Sequence, residues 1–126
     1  MEEFKFKIIN YPEILNDELF IPELIMNGSV YHFEFLFNYY DPVTIISSNT
    51  KKTILHYMVI YRRLDLLTNF IGIKDLAVRR DIDGMSILHW ACFEGLTDMS
   101  KFIRQRIPIL ENVADNDGKL PIDYEK

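Results

Sequence analysis

The sequence predicts an all-α protein built from a helix pair that recurs along the chain. When the sequence is aligned with itself, SILHWACFEG (86–95) falls on TILHYMVIYR (53–62), with Leu88 on Leu55 and His89 on His56. In the same way, DNDGKLPIDY (115–124) falls on DIDGMSILHW (81–90). Self-similarity with a period of about 33 residues is typical of solenoids, in which each unit buries its apolar face against its neighbours.

The repeated segment resembles the ankyrin repeat, whose pattern is roughly D-x-x-G-x-T-P-L-H-x-A-x-x-x-G followed by a second helix. Residues 81–95 match this pattern at Asp81, Gly84, Leu88, His89, Ala91 and Gly95, with Ser86 for threonine and Ile87 for proline. Residues 48–62 match at Thr53, Leu55 and His56, but have Lys51 and Arg62 where glycines are usual. Residues 115–124 match at Asp115, Gly118, Pro121 and Ile122. The resemblance implies an ankyrin-repeat solenoid of three to four stacked helix-turn-helix units with degenerate terminal ones.

The length of 126 residues favours one domain, which divides into five segments. Residues 48–80 and 81–114 are expected to be repeats, and residues 115–126 a truncated capping repeat. Residues 15–47 are expected to be a degenerate repeat with Gly28 at the turn between its helices. Residues 1–14 are expected to be an extended or loosely docked N-terminal arm.

Local chemistry explains most residues of the repeated motif. Thr53 and Ser86 are suited to cap the first helix of their repeats. Gly95 supplies backbone freedom for the turn into the second helix, whereas Arg62 at the equivalent place predicts strain or another turn. The resemblance implies that His56 and His89 tie neighbouring turns together with ring hydrogen bonds. Trp90, which follows His89, is expected in or beside the core, with partner contact as the alternative.

The residues that could carry chemistry fit a scaffold better than a catalytic or metal site. Zinc would need further nitrogen or sulfur ligands near the two histidines, and Cys92 at a small-residue position is expected to be a buried thiol. The Asp81/Asp83 and Asp115/Asp117 pairs fit tight turns and lack calcium-loop spacing. The sequence has no phosphate loop, G-x-S-x-G or H-E-x-x-H motif. We therefore expect no enzyme activity, cofactor, metal or small-molecule substrate.

Charge is unevenly distributed, although the net charge is only −5. Residues 1–48 carry 2 basic and 8 acidic residues, a net charge of −6, and residues 49–80 carry 7 basic and 2 acidic residues, a net charge of +5. Residues 81–126 return to −4, with 5 basic and 9 acidic residues. The acidic N-terminus and the lack of a long apolar run argue against a signal peptide or membrane span, which predicts a cytoplasmic or nuclear location without membrane association.

Ankyrin arrays typically bind proteins through turn tips and the exposed side of each first helix. Mapped onto this sequence, the predicted partner-binding residues are Asn49, Thr50, Lys52, Ile60, Tyr61, Ile82, Asp83, Met85, Phe93 and Glu94. Phe93 and Tyr61 are expected to be apolar anchors, because exposed apolar clusters mark interaction sites. The alternative is that Met85 or Ile60 packs inside the stack.

The predicted function is that of a non-enzymatic protein-binding adaptor, an inhibitor or a small subunit of a larger assembly. A predicted basic patch comprises Lys51, Arg62, Arg63, Arg79 and Arg80. Arginine suits carboxylate and phosphate partners, so an acidic protein segment is the favoured target of this patch. The alternative is an RNA-associated component of a ribonucleoprotein that uses the basic band 51–80. Binding to an RNA backbone would weaken steeply with salt.

Overall fold

The computed structural model describes residues 1–125, which form stacked helix pairs. The helices are α1 (Glu2–Asn10), α2 (Phe20–Asn27), α3 (Val30–Tyr39), α4 (Ile54–Ile60), α5 (Leu64–Phe70), α6 (Lys74–Ala77), α7 (Ile87–Phe93) and α8 (Thr97–Arg106). Four 3₁₀ helices cover Pro12–Asn16, Pro42–Thr44, Pro108–Asn112 and Pro121–Tyr124. Extended pairing in the described residues is limited to an isolated antiparallel bridge between Ile46 and Thr53.

The first helices of successive units pack against one another and form the spine of the stack. Helix α2 contacts α4, α4 contacts α7, and α7 contacts the 3₁₀ helix Pro121–Tyr124. Leu55 and Leu88, which coincide when the two repeats are aligned, are both fully buried. Helices of seven residues do not persist alone in water, so α4 and α7 depend on these contacts.

The predicted N-terminal arm, residues 1–14, is wrong, because this segment is helical and packed. Phe4 and Ile8 lie four residues apart on one face of α1, and Ile8 is completely buried in the core. Helix α1 contacts α3, and the hydroxyl of Tyr40 donates a hydrogen bond to the carbonyl of Ile8 at 2.9 Å. The segment therefore extends the first helix pair. The last residue of the predicted capping repeat, Lys126, lies outside the described residues.

The turn that opens the second unit is longer by one residue than the two turns that follow it. Asp81 N–H bonds to Met85 carbonyl, and Asp115 N–H bonds to Lys119 carbonyl, at 3.0 and 2.9 Å. In the second unit the same bond runs from Ser47 N–H to Lys52 carbonyl at 3.0 Å. The second unit therefore begins at residue 47 rather than at 48.

Two residues of the second unit hold a left-handed backbone without being glycine. Lys51 has φ +61° where Gly84 and Gly118 have +77° and +76°. Arg62 has φ +62° where Gly95 has +71°. The turn geometry is thus the same as in the later units, although lysine and arginine replace glycine. A left-handed backbone at such residues costs about 1–2 kcal/mol at each position. The strain expected at Arg62 from the sequence is present.

Replacing Arg62 with glycine is expected to stabilise the protein, and replacing Gly95 with alanine to destabilise it. Glycine relieves the backbone strain at position 62, but it also adds entropy to the unfolded chain, which offsets part of the gain. The net increase in stability is therefore expected to be no more than about 1 kcal/mol. The loss at position 95 is expected to be about 1 kcal/mol and to arise from φ alone, since an added Cβ would meet nothing within 4 Å. Urea unfolding of both variants measures the change. A loss of stability in Arg62→Gly would show that contacts of the arginine side chain stabilise the protein by more than the backbone strain costs.

Candidate binding surface

A row of aromatic side chains follows the first helices through three consecutive units. Tyr57 and Trp90 each directly follow a histidine, and Tyr124 falls on Trp90 when the last two units are aligned. Phe93 links two of these positions, because its ring lies 5.6 Å from the ring of Trp90 and 5.9 Å from that of Tyr124. Tyr61 stacks on Tyr57 with ring centroids 6.3 Å apart. These five residues are called the aromatic row below.

A buried aspartate in each of the last two turns holds both the turn and a ring of the aromatic row. One carboxylate oxygen of Asp81 accepts from the backbone N–H groups of Asp83 and Met85, both at 3.0 Å. The other oxygen accepts from the indole N–H of Trp90 at 2.8 Å and lies 3.4 Å from Lys52 Nζ. The Asp81 side chain is fully buried, so this carboxylate is compensated on every side.

Asp115 repeats this arrangement in the last unit. One oxygen accepts from the N–H groups of Asp117 and Lys119, both at 2.9 Å, and the other accepts from the hydroxyl of Tyr124. Desolvation alone would raise the pKa of Asp115, but these hydrogen bonds lower it below its usual value. The hydrogen bond between the Tyr124 hydroxyl and Asp115 raises the pKa of Tyr124 to about 12. The first aspartate of each pair therefore stabilises its turn, as inferred from the sequence, and also bonds to an aromatic side chain.

His56 and His89 connect their own helix to the turn of the next unit. Nδ1 of His56 accepts from Thr53 N–H at 3.2 Å, so the proton is on Nε2, which donates to the carbonyl of Met85 at 2.9 Å. His89 does the same with Ser86 N–H at 3.1 Å and the carbonyl of Lys119 at 3.0 Å. The ring hydrogen bonds expected between neighbouring turns are present.

Burial in the core makes His56 a neutral residue. Burial is the main cause that lowers its pKa, and the positive charge of Lys52 adds to it. The hydrogen bond to Met85 and the charge of Asp81 act in the opposite direction but do not compensate for burial.

The predicted partner-binding residues divide into exposed and buried groups. Ile82, Phe93 and Tyr61 are 54%, 47% and 37% exposed. Asn49 and Asp83 are exposed at the turn tips, and Thr50, Ile60 and Glu94 are half-buried. The turn tips are also joined to each other, because Ile82 N–H donates to Thr50 carbonyl at 2.8 Å and Asn116 N–H to Asp83 carbonyl at 3.0 Å.

Two of these residues are placed differently from the sequence prediction. Met85 is only 8% exposed, and its N–H and carbonyl are bonded to Asp81 and His56. The side chain of Lys52 is only 13% exposed, and its ammonium group is paired with Asp81 and lies 4.8 Å from the centre of the Trp90 ring. Neither side chain is free to bind a partner.

Two residues of the predicted basic patch, Arg63 and Arg80, are bonded to other parts of the protein. Arg63 donates to the carbonyls of Ile25 and Gly28 at the end of α2, at 2.5 and 3.0 Å, and pairs with Asp65 at 2.8 Å. This hydrogen bond to Arg63 is the main cause that lowers the pKa of Asp65. Arg80 donates to the carbonyl of Ala114 at 3.3 Å. Lys51, Arg62 and Arg79 are exposed.

The single cysteine is buried, and the three histidines are not grouped with other metal-ligating side chains within residues 1–125. Cys92 is 2% exposed, and burial raises the pKa of its thiol. No group of three or more histidine, cysteine, aspartate or glutamate residues that could hold a metal ion occurs within the described part of the chain. None of the helices between residues 1 and 125 is long and apolar enough to cross a lipid bilayer.

Sequence reasoning missed two polar arrangements in the N-terminal part of the structure. Ser29 and His32 form a third Ser/Thr-x-x-His cap, in which Ser29 N–H donates to His32 Nδ1 at 3.1 Å. The spacing of this pair, equal to that of the other two caps, was a usable signal. The carboxylate of Glu18 accepts from the hydroxyls of Ser47 and Ser48 at 3.1 and 2.8 Å, beside a cleft of about 270 Å³ that includes Tyr57. The long separation of these residues in the sequence left no signal for that contact.

Comparison with known proteins identifies the fold. No family model and no curated protein matches the chain. A chain in the crystal structure of the yeast ribosomal protein Rps3 in complex with its chaperone Yar1 is similar, with a TM-score of 0.71 and 16% sequence identity. The match covers 86% of this chain and 81% of that chain. The prediction of an all-α solenoid of stacked helix-turn-helix units is confirmed.

Stability is expected to fall as the pH is lowered below about 6.5. The unfolded chain binds a proton on His56 near the ordinary pKa of 6.5, whereas the folded protein binds it only at lower pH. The contribution of His56 to the free energy of unfolding is therefore complete above pH 6.5. As the pH falls from 6.5 towards the lower pKa that His56 has in the folded protein, this contribution is lost at up to about 1.4 kcal/mol per pH unit. Urea unfolding between pH 7.5 and 5 measures this slope. His56→Gln is expected to be less stable but to show a smaller slope, and an equal slope would assign the effect to other groups.

Two arginines of the basic band are expected to differ in their effect on stability. Arg63→Ala is expected to cost about 1.5–3 kcal/mol, because it removes charged hydrogen bonds to two carbonyls of the preceding unit. Arg79→Ala is the matched control and is expected to change stability by less than about 0.5 kcal/mol, because Arg79 is exposed. Thermal and urea unfolding provide the comparison. Equal effects would contradict the internal role of Arg63.

Proposed function

We propose that this chain is a diverged ankyrin-repeat protein that binds a protein partner through the aromatic row and the adjoining turn tips. In this role it acts as a non-enzymatic adaptor, an inhibitor or a small subunit of a larger assembly. The observation that carries the proposal is the exposure of Phe93 and Ile82 on one unit, together with that of Tyr61, which stacks on Tyr57, in the preceding unit. Exposed apolar clusters of this kind mark interaction sites.

The rigidity of the aromatic row supports this proposal. Trp90 and Tyr124 are each bonded to a buried aspartate, and Phe93 packs between their rings. Side chains that are already ordered lose little conformational entropy when a partner binds, which favours them as anchors. Tyrosine and tryptophan are also the residue types that most often carry binding energy in protein interfaces.

The likeness to a chain from the Rps3–Yar1 structure is compatible with protein binding, since that structure is a complex of a ribosomal protein with its chaperone. The free bases near the aromatic row, Lys51 and Arg62, suit acidic residues at the rim of a partner. A buried free thiol at Cys92 fits the proposed cytoplasmic or nuclear location, where cysteines stay reduced.

RNA binding is the weaker alternative. Two basic residues of the band 51–80, Lys52 and Arg63, are already paired with the carboxylates of Asp81 and Asp65. They are therefore less available to phosphate groups than free bases, and RNA binding depends on a basic patch. A fluorescent 20-nucleotide RNA is expected to bind weakly at about 150 mM salt, and tight binding that falls steeply with salt would favour the alternative.

Truncation of Phe93 is expected to weaken partner binding about thirtyfold or more without lowering the melting temperature much. A hot-spot side chain contributes about 2 kcal/mol or more, and about 1.4 kcal/mol corresponds to a factor of ten. The half-exposed ring of Phe93 contributes little to the core. Proteins captured from a cell extract by the unaltered chain and by Phe93→Ala are quantified by mass spectrometry, and affinities are then measured with the purified partner.

Ile122→Ala is the matched control, because Ile122 is 62% exposed and lines a cleft with Arg104 and Glu111 instead of the aromatic row. It is expected to retain the partner. If Phe93→Ala unfolds the protein, Phe93 is a core residue. If it retains both stability and partner, the proposed surface is wrong.

A further inference from the structure

The N-terminal end of the solenoid exposes many apolar side chains. Of the fourteen large apolar residues that are exposed in the described chain, eight lie within residues 1–39. Terminal units of a solenoid normally present a polar outer face, because nothing stacks on them. An apolar outer face at this end therefore points to an interaction.

The exposed apolar residues of α1 are not needed for the fold. Phe4 and Ile8 face the core, whereas Phe6 lies on the opposite side of the helix and is 58% exposed. Its ring lies 6.1 Å from the ring of Tyr11, which is 51% exposed. Neither ring belongs to the core cluster or to the residues that pack against it.

Phe6 and Tyr11 form one side of an open groove between α1 and the 3₁₀ helix Pro12–Asn16. The groove has a volume of about 720 Å³, which is within the usual range for binding sites, and Ile14 contributes a further apolar residue. A side chain from another molecule can therefore enter between α1 and the 3₁₀ helix.

The groove is acidic. Glu3 and Lys7 neutralise each other at 3.3 Å, which leaves the carboxylates of Glu13 and Asp17. Both residues are exposed, and Asp17 accepts a hydrogen bond from Leu19 N–H at 2.9 Å. Residues 1–48, which contain the groove, carry a net charge of −6.

We propose that this groove is a second docking surface, which binds a basic amphipathic segment of a partner protein. Apolar side chains of the segment pack on Phe6, Tyr11 and Ile14, and its arginine or lysine residues pair with Glu13 and Asp17. Aromatic rings next to carboxylates favour such cations, because ring faces attract them as well. Asp17 also lines the cleft that includes Tyr57, so the groove adjoins the N-terminal end of the aromatic row. None of the groove residues belongs to that row, and the inference does not depend on the function proposed above.

The negative charge of the groove favours a basic protein segment over nucleic acid, an anionic membrane or a second copy of the chain. Nucleic acid and anionic membranes are repelled by the carboxylates of the groove. A symmetric dimer through this end would bring two segments of net charge −6 together, which is unfavourable. A basic protein segment satisfies both the apolar and the acidic parts of the groove.

The test uses the full chain labelled with ¹⁵N and titrated with a 14-residue helical peptide that carries leucines on one face and arginines on the other. The matched peptide has glutamate in place of every arginine. The arginine peptide is expected to bind at least tenfold more tightly and to shift the amide signals of Phe6, Tyr11 and Ile14.

Two variants test the apolar and acidic parts of the groove separately. Phe6→Ser with Tyr11→Ser is expected to weaken binding of the arginine peptide at least tenfold. Glu13→Gln with Asp17→Asn is expected to weaken it about tenfold and to reduce its salt dependence, while the amide oxygen introduced by the second substitution keeps an acceptor for Leu19 N–H. Ile122→Ser is the control at the other end of the chain and is expected to bind normally. Melting temperatures verify that each variant is folded.

Four results would overturn the proposal. The first is that the glutamate peptide binds as tightly as the arginine peptide, and the second is that the signal shifts are confined to residues outside α1 and the 3₁₀ helix. The third is that a 20-nucleotide RNA binds more tightly than the arginine peptide, and the fourth is that both groove variants bind this peptide as the unaltered chain does. Self-association of the unaltered chain in analytical ultracentrifugation that disappears in Phe6→Ser with Tyr11→Ser would assign the surface to a second copy instead. A failure here leaves the Phe93 experiment unaffected, because that experiment examines the aromatic row.

Discussion

The stack depends on the hydrogen bonds of two buried histidine rings. One nitrogen of each ring accepts from the N–H of the residue that caps its helix, and the other donates its proton to a carbonyl of the next turn. A short helix, its cap and the following unit are thereby fixed by one side chain. Because a buried ring has no water to replace a lost partner, all of these bonds must form together. No buried side-chain nitrogen or oxygen atom lacks a partner in the described residues.

The aspartates at the start of the last two units extend this arrangement from the core to the surface. Asp81 and Asp115 hold the turn that the preceding histidine bonds to, and they also bond an aromatic side chain of the first helix. Turn and ring are therefore positioned by the same carboxylate. The second unit has no aspartate at this place, and Tyr57 stacks on Tyr61 instead. The surface is for this reason more firmly organised in its C-terminal half.

The sequence was sufficient to predict the fold, because the residues that set the unit recur at fixed spacing. The recurring residues are the histidine and its serine or threonine cap, and each has a local reason for its position. The site was predicted less well, because side-chain contacts between units leave no local pattern. Arg63 bonds to carbonyls of the preceding unit, far away in the sequence, and Lys52 pairs with Asp81 of the next unit. Helix α1 was missed because only Phe4 and Ile8 mark its buried face.

The left-handed backbone at Lys51 and Arg62 has a consequence for how the molecule assembles. In a linear array stability is the sum of the units and their interfaces, so strain within one unit lowers the local stability there. Glycines relieve the same geometry in the third and fourth units, so that half of the chain forms the more stable nucleus. We therefore expect the second unit to open more readily than the units that follow it.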